Sequence, residues 1–100
     1  MIDQVRPAEL AAWFAQTAAD GLPLLLDVRE PWEREQASVP AQDFELVVIP
    51  MGQLAERIAE LDPTRPTACL CHHGVRSQHV AAYLAQRGHY QVVNITGGID

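Results

Sequence analysis

Short apolar runs at residues 24–28 (LLLDV), 44–49 (FELVVI), 67–71 (TACLC) and 91–95 (QVVNI) alternate with stretches of helical spacing, and this alternation restricts the fold more than any other feature. Runs of this length and apolarity mark strands buried on both faces. Between them, residues 7–17 open with a proline suited to a helix's first turn and place Leu10, Trp13 and Phe14 on one side. Residues 31–37 read as a short helix opened by Pro31, and residues 53–61 as a helix carrying Leu54, Ile58 and Leu61 inward. Residues 75–87 form a further helix with Val80, Tyr83 and Leu84 on its apolar side and Gly88 as its stop. Strands separated by helices need crossover connections. The reading is therefore α/β, a mainly parallel sheet of four to five strands with helices on both faces.

A chain of 100 residues has room for one core, so residues 1–100 are expected to form one domain. Thirteen acidic residues against seven basic ones give a formal net charge of −6. Nucleic acids are held mainly by Lys and Arg on phosphates, and anionic membranes by basic amphipathic stretches, so neither partner is expected. No apolar run reaches membrane-spanning length and the first residues lack a signal-peptide pattern, which makes the cytoplasm the default location. Cys69 and Cys71 stand too close in sequence for an unstrained, useful disulfide, so both are read as reduced thiols.

In parallel α/β sheets, ligands gather beyond the carboxyl ends of the strands. The segment Cys71-His72-His73-Gly74-Val75-Arg76-Ser77 lies there, with Cys71 at a strand end and a helix starting about four residues later. Unpaired N–H groups at a helix start favour negative charge, Arg76 adds a permanent cation, and Gly74 permits backbone angles that turn several N–H groups inward. Such surroundings stabilise a thiolate and suit a cysteine that carries an anionic adduct. The plain alternative is a small buried apolar residue. Cys69, inside the strand, reads as core packing, with a resolving thiol as its alternative. Cys69, Cys71, His72 and His73 are crowded too closely to surround one ion, so no metal is expected. His79 and His89 are expected at the surface.

These residues resemble the rhodanese family. The matching pieces are Leu25-Leu26-Asp27-Val28-Arg29-Glu30 with Trp32-Glu33, the segment from Cys71 to Ser77, and Val93-Asn94-Ile95-Thr96-Gly97-Gly98-Ile99. The resemblance implies a sulfurtransferase that moves a sulfane sulfur from thiosulfate or a persulfide to cyanide or a thiol, without a cofactor. Cys71 would carry the sulfur, Arg76 would steady the anion, and His72, His73, Gly74, Val75 and Ser77 would line the substrate. Asp27 and Arg29 resemble the family's supporting pair at the neighbouring strand end, the alternative being a surface turn and helix cap. A protein persulfide is a further candidate donor, because His72 and His73 are mostly neutral at pH 7 and Arg76 is the segment's fixed cation. Residues 37–41 (ASVPA) depart from the family's Gly-His-Ile-Pro-Gly-Ala stretch, and the sequence ends at Asp100, before the family's usual tryptophan and further helix.

Two other readings share this fold. Cysteine-dependent phosphatases and arsenate reductases place five residues between Cys and Arg, whereas here His72, His73, Gly74 and Val75 intervene. A non-catalytic sulfur-relay or interaction module would need neither Cys71 nor Arg76. The spacing carries no signal for self-association.

Overall fold

The structure, a computed structural model, describes residues 2–17, 22–29, 44–71, 75–89 and 91–96. Its elements run β1 (Asp3–Val5), α1 (Leu10–Thr17), β2 (Leu24–Asp27), β3 (Glu45–Val48), α2 (Leu54–Arg57), β4 (Thr67–Leu70), α3 (Val75–Gln86) and β5 (Val92–Ile95). The strands form one sheet in the order β1-β5-β4-β2-β3, and every pairing is parallel. β4, whose end leads to Cys71, is the middle strand.

Period-two alternation divides the side chains of the central strands between two cores. Leu24, Leu26, Val28 and Cys69 point to one side, where Leu54, Leu61, Val80, Ala81 and Leu84 cover them from α2, its following turn and α3. Leu25, Ala68, Leu70 and Val93 point to the other side, where Phe14 of α1 meets them. Phe14 also stacks on Phe44 with ring centroids 4.8 Å apart. Helices therefore lie on both faces of the sheet, and the α/β reading holds.

Three local expectations change. The first is residues 53–61, which are not one regular helix: a single α-turn, Leu54–Arg57, is flanked by the 3-10 turns Met51–Gln53 and Ile58–Glu60. Leu54 and Leu61 are still carried inward. The second is β1, which adds a fifth strand beside β5, in register Asp3–Val93 to Val5–Ile95. The third is His89, which is buried at 5% exposure, whereas His79 is exposed. Gly88, at φ +97°, ends α3 by bringing the His89 N–H back to the Leu84 carbonyl (3.1 Å), while its own N–H bonds the Ala85 carbonyl. This paired closure folds the residue after the glycine onto the helix's last turn, and so His89 turns inward. The helix read at residues 31–37 lies outside the described residues.

Candidate active site

Cys71 follows β4 at the carboxyl edge of the sheet, 1% exposed, and α3 begins at Val75. The cysteine and the helix start thus stand as the sequence places them. His72, His73 and Gly74, which join them, lie outside the described residues. Val75 is 66% exposed, Arg76 is half-buried, and Ser77, the third residue of the helix, is fully buried.

Ser77 Oγ lies 3.3 Å from Cys71 Sγ and is also hydrogen-bonded to Asn94 Oδ1 of β5. Asn94 Nδ2 donates to Gln4 Oε1 of β1 (2.9 Å), which also accepts from Thr96 Oγ1 (3.2 Å). The Gln4 amide nitrogen donates to the Ile2 carbonyl (3.3 Å) and to Gln78 Oε1 of α3. A line of polar side chains therefore runs from Cys71 to the sheet's edge strand. Asn94 and Gln4 are absent from the candidates read in sequence. The signal for Asn94 was an amide inside the apolar run QVVNI, at 3% exposure a polar group that must find partners.

At the end of β2, Asp27 and Arg29 form a buried ion pair, with side chains 2% and 1% exposed. Arg29 donates from Nε to Oδ1 (3.0 Å) and from Nη2 to Oδ2 (2.8 Å), and its backbone N–H donates to Oδ1 (3.0 Å). Such a two-pronged contact fixes both side chains in one geometry. The residues do not form the surface turn that was the alternative reading. β2 is hydrogen-bonded to β4, and the Val28 N–H donates to the Leu70 carbonyl (3.0 Å), so the pair sits on the strand end next to Cys71.

Cys69 has no exposed surface. Burial pushes its thiol up to about 12, and the charge of Cys71 acts in the same direction. It is a neutral core residue across the neutral range. No cluster of metal-ligating side chains occurs among the described residues.

A parallel five-stranded sheet with a buried cysteine between its middle strand and a helix start defines the class of protein. Residues 9–100 match the rhodanese-like domain family, and the chain belongs to it. It is 36% identical over 76 residues to a sulfurtransferase of Allochromatium vinosum, covering 76% of this chain and 67% of that protein. A putative sulfurtransferase of Bacillus subtilis is 31% identical over 96% of this chain and 88% of its own length. A thiosulfate sulfurtransferase of Pseudomonas syringae is 33% identical over 86% and 77% respectively. Larger proteins also match: the chain spans 25% of a rhodanese-like/PpiC domain-containing chloroplast protein of Arabidopsis thaliana and 16% of a tRNA sulfurtransferase of Shewanella loihica. Among solved structures, a rhodanese-related protein of Thermoplasma volcanium superposes with a TM-score of 0.77 at 28% identity, covering 96% of this chain and 85% of that one. These relatives support a sulfur-transfer function.

Proposed function

We propose that the chain, acting as one domain, transfers sulfane sulfur through a persulfide on Cys71. The observation that carries this reading is the nucleophile's setting. A cysteine at the carboxyl end of the central strand faces the start of a 12-residue helix, with Arg76 in the first turn and the Ser77 hydroxyl 3.3 Å from its sulfur. Helix-start N–H groups and a fixed cation favour an anion held at that point.

In the first half-reaction the Cys71 thiolate attacks the outer sulfur of thiosulfate or of a persulfide donor. A new S–S bond forms, the donor's own S–S bond breaks, and sulfite or a thiolate leaves with the bonding pair. The negative charge then rests on the terminal sulfur, where Arg76 and the backbone from His72 to Arg76 would hold it. In the second half-reaction cyanide or a thiolate takes that sulfur and returns the electron pair to Cys71. Neither half-reaction calls for a metal or an organic cofactor. Asp27 and Arg29 act as a brace for the strand end beside the nucleophile. Arg76 is the only permanent cation between Cys71 and Ser77, which favours a protein or low-molecular-weight persulfide over the thiosulfate dianion as donor. No helix among the described residues is long and apolar enough to cross a membrane. Two free cysteines suit a reducing compartment, and we place the reaction in the cytoplasm.

Intact-mass spectrometry tests the reading directly. After incubation with thiosulfate, or separately with a persulfide donor, the protein should gain one sulfur atom. Cyanide should remove it, and Cys71→Ser should never acquire it. Failure to load from either donor would overturn the proposal. Loading from the persulfide alone, or at a much lower KM, identifies the donor class.

A further inference from the structure

Cys71 belongs to the same core cluster as Leu54 and Val80, on the face of the sheet covered by α2 and α3. Leu54 and Val80 also floor a groove of about 280 Å³, walled by Met51 and Ala55 on one side and by His79 and Tyr83 of α3 on the other. Both walls start from the sheet edge that carries the nucleophile. The Met51 N–H donates to the Val28 carbonyl (3.1 Å), and the Val28 N–H donates to Leu70, the residue before Cys71. Val75, His79 and Tyr83 recur every fourth residue, so one side of α3 leads from the helix start into the groove. Met51 and Val75 are two of the three large apolar side chains exposed among the described residues. The third, Leu22, precedes β2 at the opposite edge of the sheet.

The chemistry of the groove limits what it can hold. Its lining offers an imidazole and a phenol but no carboxylate, lysine or arginine, and Arg87, stacked on the Tyr83 ring at 4.9 Å, stays outside it. In a chain of net charge −6, a wall without fixed charge suits an uncharged, apolar body. Pockets for small ligands begin at about 300 Å³, so this one has room for a short chain or a single ring. A larger groove of about 600 Å³ runs between β1 and α1, but its lining includes Val5, Trp13 and Val93, which puts it on the other face of the sheet from Cys71.

We propose that the groove between α2 and α3 is an acceptor subsite that takes the uncharged aliphatic or aromatic body of a small thiol. The inference rests on Cys71 as the sulfur carrier of the proposed transfer. With its body in the groove, the thiol gives its proton to solvent and its sulfur attacks the outer sulfur of the Cys71 persulfide. A new S–S bond forms on the acceptor, the bond between the two sulfurs on Cys71 breaks, and the electron pair returns to the Cys71 thiolate. The product leaves as the acceptor's persulfide. Cyanide, which has no such body, gains nothing from the groove.

The test compares n-alkanethiols from ethanethiol to hexanethiol as acceptors for the sulfur-loaded protein. Their sulfur chemistry is alike, so a gain in kcat/KM along the series reports burial of the chain. Transfer should rise about fourfold for each methylene that enters the groove, so hexanethiol should exceed ethanethiol by at least about tenfold. Ala55→Glu, at an exposed helical position, sets a carboxylate in the groove and should abolish that ratio. Ala12→Glu, the matching change in the groove beside α1, should leave the ratio intact. A second readout needs no sulfur: 1-hexanol added to Cys71→Ser should shift the His79 imidazole and Tyr83 ring proton resonances and bind more tightly than 1-butanol, and Ala55→Glu should remove both effects. Chain length without effect on either readout would overturn the inference, as would effects removed by Ala12→Glu instead of Ala55→Glu. A dimer in sedimentation that Ala55→Glu dissolves would give the groove to a second copy and overturn it as well. Alcohol binding as stated in a protein that never gains sulfur would refute the transfer reading and leave the groove, whereas normal loading without any chain-length effect would refute the groove alone.

Discussion

Removing one partner from a buried ion pair leaves the other charge poorly solvated, and for that reason such changes are severe. Arg29→Met should lower stability by about 3–5 kcal/mol, read as a reduced urea midpoint, because Asp27 loses both prongs of its contact. A midpoint within experimental error of the parent would show that the pair contributes nothing. His89 supplies a second residue-level expectation. Burial lowers its proton affinity in the folded protein, partly offset by Asp62, so the neutral imidazole is favoured. A depressed folded value gives stability that is present above the ordinary histidine range and declines as pH falls through it. The urea midpoint should therefore drop between pH 7.5 and pH 5.5, and His89→Gln should flatten that slope. An unchanged slope would remove His89 from the account. Carboxylates held low by neighbours, such as Asp62 beside Thr64, act at more acidic pH. At this scale Cys71, Arg76 and Ser77 were legible because strand end, loop and helix start follow one another in the chain. Asn94 was not, since its partner Ser77 is 17 positions away and only the α3–β5 packing brings them together.

Elements with a strong period were read closely. The four runs expected as strands are strands within about one residue at each end, and the helix that follows Cys71 starts at Val75 as expected. Its stop was readable because Gly88 adopts a backbone angle that other residues rarely take. Residues 53–61 show the limit of the method. Leu54, Ile58 and Leu61 keep helical spacing, but a succession of tight turns delivers the same residues to the core, and periodicity cannot tell the two apart. β1 was missed for another reason. Asp-Gln-Val is too short to show alternation, and two of its three residues are exposed. It becomes a strand only because β5 offers an open edge.

At the scale of the whole molecule, every strand pairing is parallel, and the first strand closes the sheet against the last. That closure has a mechanical consequence. The chain enters β1 before Asp3 and leaves β5 after Ile95, from opposite ends of a pair that runs Asp3–Val93, Gln4–Asn94, Val5–Ile95. Tension applied at residues 2 and 96 would slide the two strands along each other, loading their evenly spaced hydrogen bonds together in shear. Tension applied at residues 2 and 91 would peel them apart one bond at a time. Single-molecule pulling should accordingly rupture β1 at a higher force in the first geometry, and equal forces would refute this. Gln4, whose side chain accepts from Asn94 behind Ser77, is the middle rung of that clamp, so a stretched chain would part the polar line that ends at Cys71 as the clamp gives way.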